Sequence, residues 1–410
     1  MKPRALLPGP ADVLFVLMLA ALPLARGWQA INTDGDLGRH LRVGREILAD
    51  GLFFADRFSW TMQGQPFVPY EWLSEILFEI SHRWAGFWGV LVLCGLVVGA
   101  TAWLLMVWFR RMGVDPLLAF LVTAAASVAG SFHWLARPHL WSLLGTIAVL
   151  CLAGSEARRP LWHHLLPTAL VFAVWANLHG GFLFGLVLLA LLAMGEALDW
   201  WLGGRSGAPE GAIRTMSLLG AGVVGSCITP AGPRILLHVL TFFENSWLVA
   251  MTMEYRSPNF QLWWGKVFLA LLGGCLAAIA LSRRPVPFRV LVPFLVTMAF
   301  ALHSARNIPL WALSGLPLLV AHLDGDWRAL RNRVLSRIRS SFELAARDSA
   351  AGWWSIVATL AALALARTAP AHPGFDPSVF PVEAVARARA EGVTGRIFNE
   401  LAWGGYILYA

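Results

Sequence analysis

AGFWGVLVLCGLVVGATAWLLMVWF, running from Ala85 to Phe109, contains no charged residue. At 1.5 Å per residue, a helix of that length reaches about 37 Å, enough to cross a hydrocarbon core of about 30 Å. Comparable apolar runs lie on either side, near 11–30, 115–133, 138–154, 162–178, 181–202, 213–229, 262–282, 287–303, 307–323 and 351–368. The pattern predicts an all-α polytopic membrane protein of about eleven helices. Composition agrees: 58% of residues are hydrophobic, 14% are charged, and the mean hydropathy is +0.63. A soluble domain of this size needs more charged surface than that.

The net charge of +8 and the isoelectric point near 10.0 raise the question of nucleic acid. The basic residues are instead spread over short loops, so we expect no nucleic-acid partner. One set of loops holds Lys2 and Arg4; Arg110 and Arg111; Arg158 and Arg159; Arg205 and Arg214; and Arg283, Arg284 and Arg289. It ends with the basic stretch Asp324–Asp348, where Trp327, Leu330, Val334, Leu335, Ile338 and Phe342 recur at helical spacing. By the positive-inside rule this set is cytoplasmic, and the last stretch reads as an interfacial helix lying on anionic membrane lipids. The first apolar run reads as a retained helix, since no clear cleavage site follows it. Cys94, Cys151, Cys227 and Cys275 lie in or beside apolar runs without metal-ligand spacing.

The opposite loops are therefore extracytoplasmic. The first, residues 31–84, opens with Asn32-Thr33-Asp34-Gly35-Asp36. Leu37, Leu41, Ile47 and Leu48 then share one helical stripe, and Trp72, Leu73, Ile76, Leu77 and Ile80 share another over Glu71–Arg83. Both read as amphipathic helices on the membrane surface, apolar side down. Beyond the last span, Pro381–Glu391 reads as a helix and Arg396–Asn399 as a strand. We expect a transmembrane domain over 1–368. Residues 369–410 are expected to begin a small α/β extracytoplasmic domain that continues past Ala410.

Two carboxylates spaced like Asp34 and Asp36 can converge on a divalent ion, Mg²⁺ or Mn²⁺, or supply a general base. An aspartate at this place can equally cap the helix that follows. Other extracytoplasmic helix ends carry Arg137-Pro138-His139, Asn177-Leu178-His179, Glu254-Tyr255-Arg256 and His303-Ser304-Ala305-Arg306-Asn307. Ionisable residues at membrane depth are costly and tend to be functional. Four such clusters on the face that bears the aspartates predict a cavity there, and arginines in it can clamp a phosphate.

The run Asp36-Leu37-Gly38-Arg39-His40 with Gly44-Arg45-Glu46, then Gly64-Gln65-Pro66-Phe67 and Glu71-Trp72-Leu73, resembles the first loop of GT-C superfamily glycosyltransferases. The likeness is to the protein O-mannosyltransferase and aminoarabinose transferase branch, and more closely to an uncharacterised bacterial subfamily. Trp175–Gly181, Glu254–Pro258, Arg306–Pro309 and Phe398–Tyr406 fit that subfamily as well. Leu37-Gly38-Arg39 and Tyr70 depart from its usual residues. The resemblance implies a bacterial inner-membrane enzyme that takes a sugar from a polyprenyl-phosphate donor. It would pass the sugar to a lipid, glycan or protein acceptor on the periplasmic face. It implies Asp36 as general base, with Asp34 as metal ligand or orienting partner. Glu71, Arg137, His139, Asn177, His179, Glu254, Arg256, Arg306 and Asn307 are then substrate-binding candidates. A transporter or flippase of lipid-linked glycans would concentrate charge at mid-span, where few charges lie. An inactive GT-C-like scaffold would not need the aspartates and the external arginines.

Overall fold

The computed structural model describes residues 7–154, 160–204, 209–241, 253–330, 332–349 and 352–410. Lys2, Arg4, Arg158, Arg159 and Arg205, assigned above to the basic loops, lie outside the described residues. In chain order the longer helices are α1 (Pro10–Asn32), α2 (Asp36–Asp50), α3 (Trp72–Arg111), α4 (Pro116–Gly130), α5 (Leu140–Ala153), α6 (Trp162–Leu178) and α7 (Phe182–Leu202). They continue with α8 (Glu210–Ser226), α9 (Arg234–Thr241), α10 (Trp263–Leu281), α11 (Phe288–His303), α12 (Ala305–Ala329), α13 (Arg333–Asp348) and α14 (Trp353–Thr368). Two short helices, α15 (Val382–Ala390) and α16 (Gly404–Tyr409), complete the chain. Each of the eleven apolar stretches is helical. Among the described residues, α1, α3, α7, α10, α12 and the segment Pro116–His133 are long and apolar enough to cross a membrane. Leu140–Ala153, Phe288–His303 and Trp353–Thr368 are shorter apolar helices.

Chain chemistry explains the irregularities. Pro23 lacks an amide hydrogen and sits in a π-helical turn, Leu22–Arg26, which interrupts α1. The surface part of α3 is set off from its spanning part at Ala85 and Gly86. Gly86 adopts φ 58°, ψ −150°, a conformation open to glycine because it has no Cβ. Asn332 starts α13 by accepting hydrogen bonds from the amides of Val334 and Leu335 at 2.9 and 3.1 Å. Val334 and Ile338 of that helix are exposed, whereas Phe342 packs edge-on against Phe120.

Both helices of the first loop exist, but only one buries the expected face. On α2, Leu37, Leu41 and Ile47 are buried, together with Val43, while Leu48 is exposed. At the start of α3 the polarity is inverted: Ser74, Glu75, Phe78 and Glu79 are buried, and Ile80 is 49% exposed. In a membrane protein the apolar side can face outward and the polar side inward.

The tail also differs from expectation. The predicted helix over Pro381–Glu391 is present as α15, but Arg396–Asn399 pairs with no strand among the described residues. The final apolar residues form α16 instead of a strand. The tail folds back on the first loop, where Asn32 Oδ1 accepts the Asp376 amide at 2.8 Å. Phe375, Phe380 and Tyr406 make a small aromatic core. There α16 meets α2 backbone to backbone. A Cβ on Gly38 would lie 2.3 Å from the Gly405 carbonyl oxygen, so glycine is required for the approach.

Candidate active site

The loop between α1 and α2 turns tightly because Asp34 Oδ1 accepts the backbone N–H of Asp36 at 3.1 Å. Gly35 is the N-cap of α2 and Asp36 its first residue, so Asp36 does not hold the capping position. It pairs instead with Arg137, which also reaches Asp34 Oδ2 at 3.3 Å. Arg137 lies in the connection between α4 and α5, so the pair joins positions a hundred residues apart in sequence.

Glu254 extends the network on the far side of Arg137. Its carboxylate lies 3.6 Å from Arg137, 3.5 Å from Arg306 and 3.7 Å from His133 Nδ1. The Arg306 guanidinium also stacks over the Tyr255 ring, 4.4 Å from its centroid. Ser304 Oγ donates to the Glu254 carbonyl at 3.0 Å, and the Ala305 amide donates to the Arg256 carbonyl at 2.9 Å. Those bonds dock the Glu254 segment onto the start of α12.

A second group adjoins the first. Glu71 lies 3.5 Å from Arg39 and 3.7 Å from His179 Nε2. Arg39 also reaches Glu75 at 3.4 Å. His179 Nδ1 accepts the Gly181 amide at 3.0 Å and lies 2.7 Å from Ser142 Oγ. The His139 ring packs 4.1 Å from His133, centroid to centroid, and its Nε2 meets the His133 carbonyl at 2.6 Å.

Burial sets the protonation of these groups. It pushes Asp34 above the ordinary carboxylate range, with Arg137 opposing and Asp36 reinforcing the shift. Glu71 is likewise raised by burial, against the pull of Arg39 and Arg137. Burial holds His40, His139 and His179 well below the ordinary 6.5, so they are neutral imidazoles at pH 7. For Arg137 burial acts downward, but Asp34, Asp36 and Glu254 outweigh it and secure the charge.

Most of the residues expected in the site therefore converge: Asp34, Asp36, Glu71, Arg137, His139, His179, Glu254 and Arg306. Four make no ion pair among the described residues; of these His139 contacts His133 instead. Asn177 is committed to scaffolding, accepting from Trp72 Nε1 at 2.6 Å and donating to the Ile228 carbonyl at 2.7 Å. Arg256 has an exposed side chain and pairs with no carboxylate among the described residues. Asn307 donates to the Phe300 carbonyl at 3.1 Å. Sequence reading passed over Arg39, His40, Glu75, His133 and Ser142 as site residues. The signals available were the i, i+4 spacings of Asp36 with His40 and of Glu71 with Glu75, which put each pair on one helix face.

No protein-family model matches the sequence, and no curated protein is similar to it. Solved structures are similar in fold. The Archaeoglobus fulgidus oligosaccharyltransferase in its apo form matches with a TM-score of 0.56 at 14% identity, over 92% of this chain and 57% of that one. The same enzyme, tethered through a disulfide to an acceptor peptide containing the NVT sequon, gives 0.50 at 14% identity, over 88% and 55%. Archaeal oligosaccharyltransferase AglB from Archaeoglobus fulgidus, in complex with an inhibitory peptide and a dolichol-phosphate, gives 0.49 at 12%, over 88% and 56%. The chain thus spans just over half the length of the structures it matches. At such identity the likeness is one of architecture, and the chain has an all-α, GT-C-like membrane fold.

Proposed function

We propose that the chain is a GT-C-type glycosyltransferase that moves a hexosyl or pentosyl unit from a polyprenyl-phosphate donor to a lipid, glycan or protein acceptor. The reaction is placed at the extracytoplasmic face of the bacterial inner membrane, the side assigned to Asp34 and Asp36 by the distribution of basic loops. The observation that carries the reading is the joining of Asp36 to Arg137, beside Arg306, at the ends of membrane helices. The fold shared with an oligosaccharyltransferase supports the same class of chemistry.

The arrangement suits inverting transfer. Asp36 takes the proton of the acceptor hydroxyl, and the acceptor oxygen attacks the anomeric carbon in line. The bond to the donor phosphate breaks with its electron pair on the phosphate oxygen. Arg137 and Arg306 neutralise that leaving phosphate. In the structure Arg137 is engaged by carboxylates. A donor phosphate competes for the same guanidinium, so donor binding loosens its hold on Asp36 and frees that carboxylate for the acceptor hydroxyl. Asp34 and Asp36 are also the residues that would hold a Mg²⁺ or Mn²⁺ ion, which would add positive charge at the phosphate. Oδ2 of Asp34 is buried and is met by Arg137 at 3.3 Å without a formed hydrogen bond, so an ion there would have to displace the guanidinium.

The test is purified protein in sealed proteoliposomes supplied with polyprenyl-phosphate-linked sugars and candidate acceptors. Release of free polyprenyl phosphate together with a glycosylated acceptor is expected. Donor that crosses a bilayer intact would identify a flippase, and no turnover of any kind would favour a scaffold.

A further inference from the structure

An imidazole and two carboxylates meet between α2 and α3, one helical turn beyond Asp36. Relative exposures are 1% for His40, 6% for Glu71 and 2% for Glu75. Glu71 and Glu75 face the same way from the start of α3, and His40 comes across from α2. His40 Nδ1 is 3.4 Å from Glu75 Oε1, and one ligand atom from each of the three residues lies within 4.8 Å of the others. Buried acids in such a place are stabilised by taking up a proton or by a cation, and burial pushes Glu75 up to about 8.

Arg39 is the neighbouring cation, and its fit is loose. It lies 3.5 Å from Glu71, 3.4 Å from Glu75, and 3.4 and 3.5 Å from the two ring nitrogens of His40. Charge-assisted guanidinium–carboxylate bonds close to about 2.7–2.9 Å where the geometry is built for them. Two of these contacts are to ring nitrogens, of which a neutral imidazole offers one acceptor. Independently, Oε2 of Glu75 is buried and accepts no hydrogen bond. A fully buried carboxylate oxygen without a donor is uncommon in a finished site.

We propose that His40, Glu71 and Glu75 form a divalent-metal site, distinct from the Asp34–Asp36 pair. One nitrogen and two carboxylate oxygens suit a borderline ion such as Zn²⁺ or Mn²⁺, whereas Ca²⁺ and Mg²⁺ prefer oxygen ligands and water. Tetrahedral bonds of about 2.0–2.2 Å place ligand atoms roughly 3.4 Å apart. The three groups therefore need to close by on the order of 1 Å, and turning Glu75 brings its unused oxygen into the set. The Arg39 side chain is 34% exposed and can swing outward. His179 Nε2, 3.7 Å from Glu71, faces the cluster from the α6–α7 turn. A metal here ties α2 to α3 and fixes the height of Asp36, which precedes His40 by one turn on the same helix.

The experiment uses the full chain in detergent, stripped with chelator and titrated with Zn²⁺ or Mn²⁺ alone. At least one equivalent should bind, separable from any ion held by Asp34 and Asp36. Pulsed electron paramagnetic resonance of the Mn²⁺ form should show coupling to an imidazole nitrogen, and His40→Gln should abolish it. Glu75→Gln should weaken binding of the imidazole-coupled ion at least tenfold, while the double variant Asp34→Asn, Asp36→Asn should keep that ion. Loss of binding in the aspartate variant with retention in Glu75→Gln would overturn the proposal, as would absence of stoichiometric binding. Should the α2 and α3 variants fail to fold, a cryo-electron map of the Zn²⁺-loaded wild type decides. Density between His40 and Glu75 supports the site, and density at Asp34 and Asp36 alone refutes it.

Discussion

Replacing Arg137 with alanine removes one side chain that reaches three carboxylates: Asp34 at 3.3 Å, Asp36, and Glu254 at 3.6 Å. The arginine side chain is 25% exposed, and those of Asp34 and Asp36 are 30% and 41% exposed. Solvent therefore screens the pairs, and Arg306 still holds Glu254 at 3.5 Å. Loss of fold stability should be limited to about 1–3 kcal/mol. A charge-assisted contact to a leaving phosphate contributes about 1.5–3 kcal/mol, so kcat/KM for the donor should fall roughly 10- to 150-fold. Arg137→Lys keeps the charge but not the planar fork that spans Asp34 and Asp36, and should fall between alanine and wild type. Sugar transfer measured against donor concentration, with thermal melts as control, provides the assay. An Arg137→Ala protein that stays folded and keeps donor kcat/KM within about twofold of wild type would refute the phosphate clamp and the argument from charge assistance.

Gly38→Ala should undock the tail, since the added Cβ would lie 2.3 Å from the Gly405 carbonyl oxygen; the readout is faster proteolysis after Thr368 together with a lower melting temperature. A variant that melts and digests like wild type would show that the α2–α16 contact does not hold the tail. The neutral histidines predict a pH dependence. His40, His139 and His179 are held below 6.5, so an unfolded chain binds more protons there, and their stabilisation is full above about pH 6.5 and lost as pH falls. Asp34 and Glu71, raised by burial, act in the opposite sense: their contribution is present at low pH and lost as pH rises through their folded values. With His133 added, four site histidines stand against three carboxylates, Glu75 being pushed up to about 8, so the melting temperature should drop between pH 7.5 and 5.5; a rise over that interval would show that the carboxylates dominate.

The membrane helices were legible in the sequence because burial in lipid requires long apolar runs, and all eleven stretches are helical. The first loop was half legible. Periodicity located α2 and the start of α3, but it could not tell which side of the second faces inward. Trp72, Ile76 and Ile80 form the more apolar stripe, yet Ser74, Glu75 and Glu79 are the buried ones. The water-based rule that apolar sides go inside fails where lipid is the solvent. In the tail, Arg396–Asn399 has the residue types of a strand but pairs with no other strand among the described residues, and strand formation depends on such pairing. The site was legible as residue types at helix ends, not as pairings. Nothing local to Arg137 says that it bridges Asp34 and Asp36, and nothing local to His40 says that it meets Glu75. Asn177 shows why an amide at a helix end is hard to assign: it can satisfy its neighbours, here Trp72 and Ile228, as readily as a substrate.

The central claim is that Asp36 is the base, and single-turnover sugar transfer by Asp36→Asn tests it most directly. Asparagine nearly matches aspartate in volume and is also an effective helix cap, so a capping role predicts transfer close to wild type. Asp36 follows the N-cap Gly35 and pairs with Arg137, which favours the chemical role. An amide cannot accept the acceptor's proton at neutral pH, so the account predicts a fall of about 10²- to 10⁴-fold in transfer with unchanged donor binding. Transfer by folded Asp36→Asn at near the wild-type rate would contradict it.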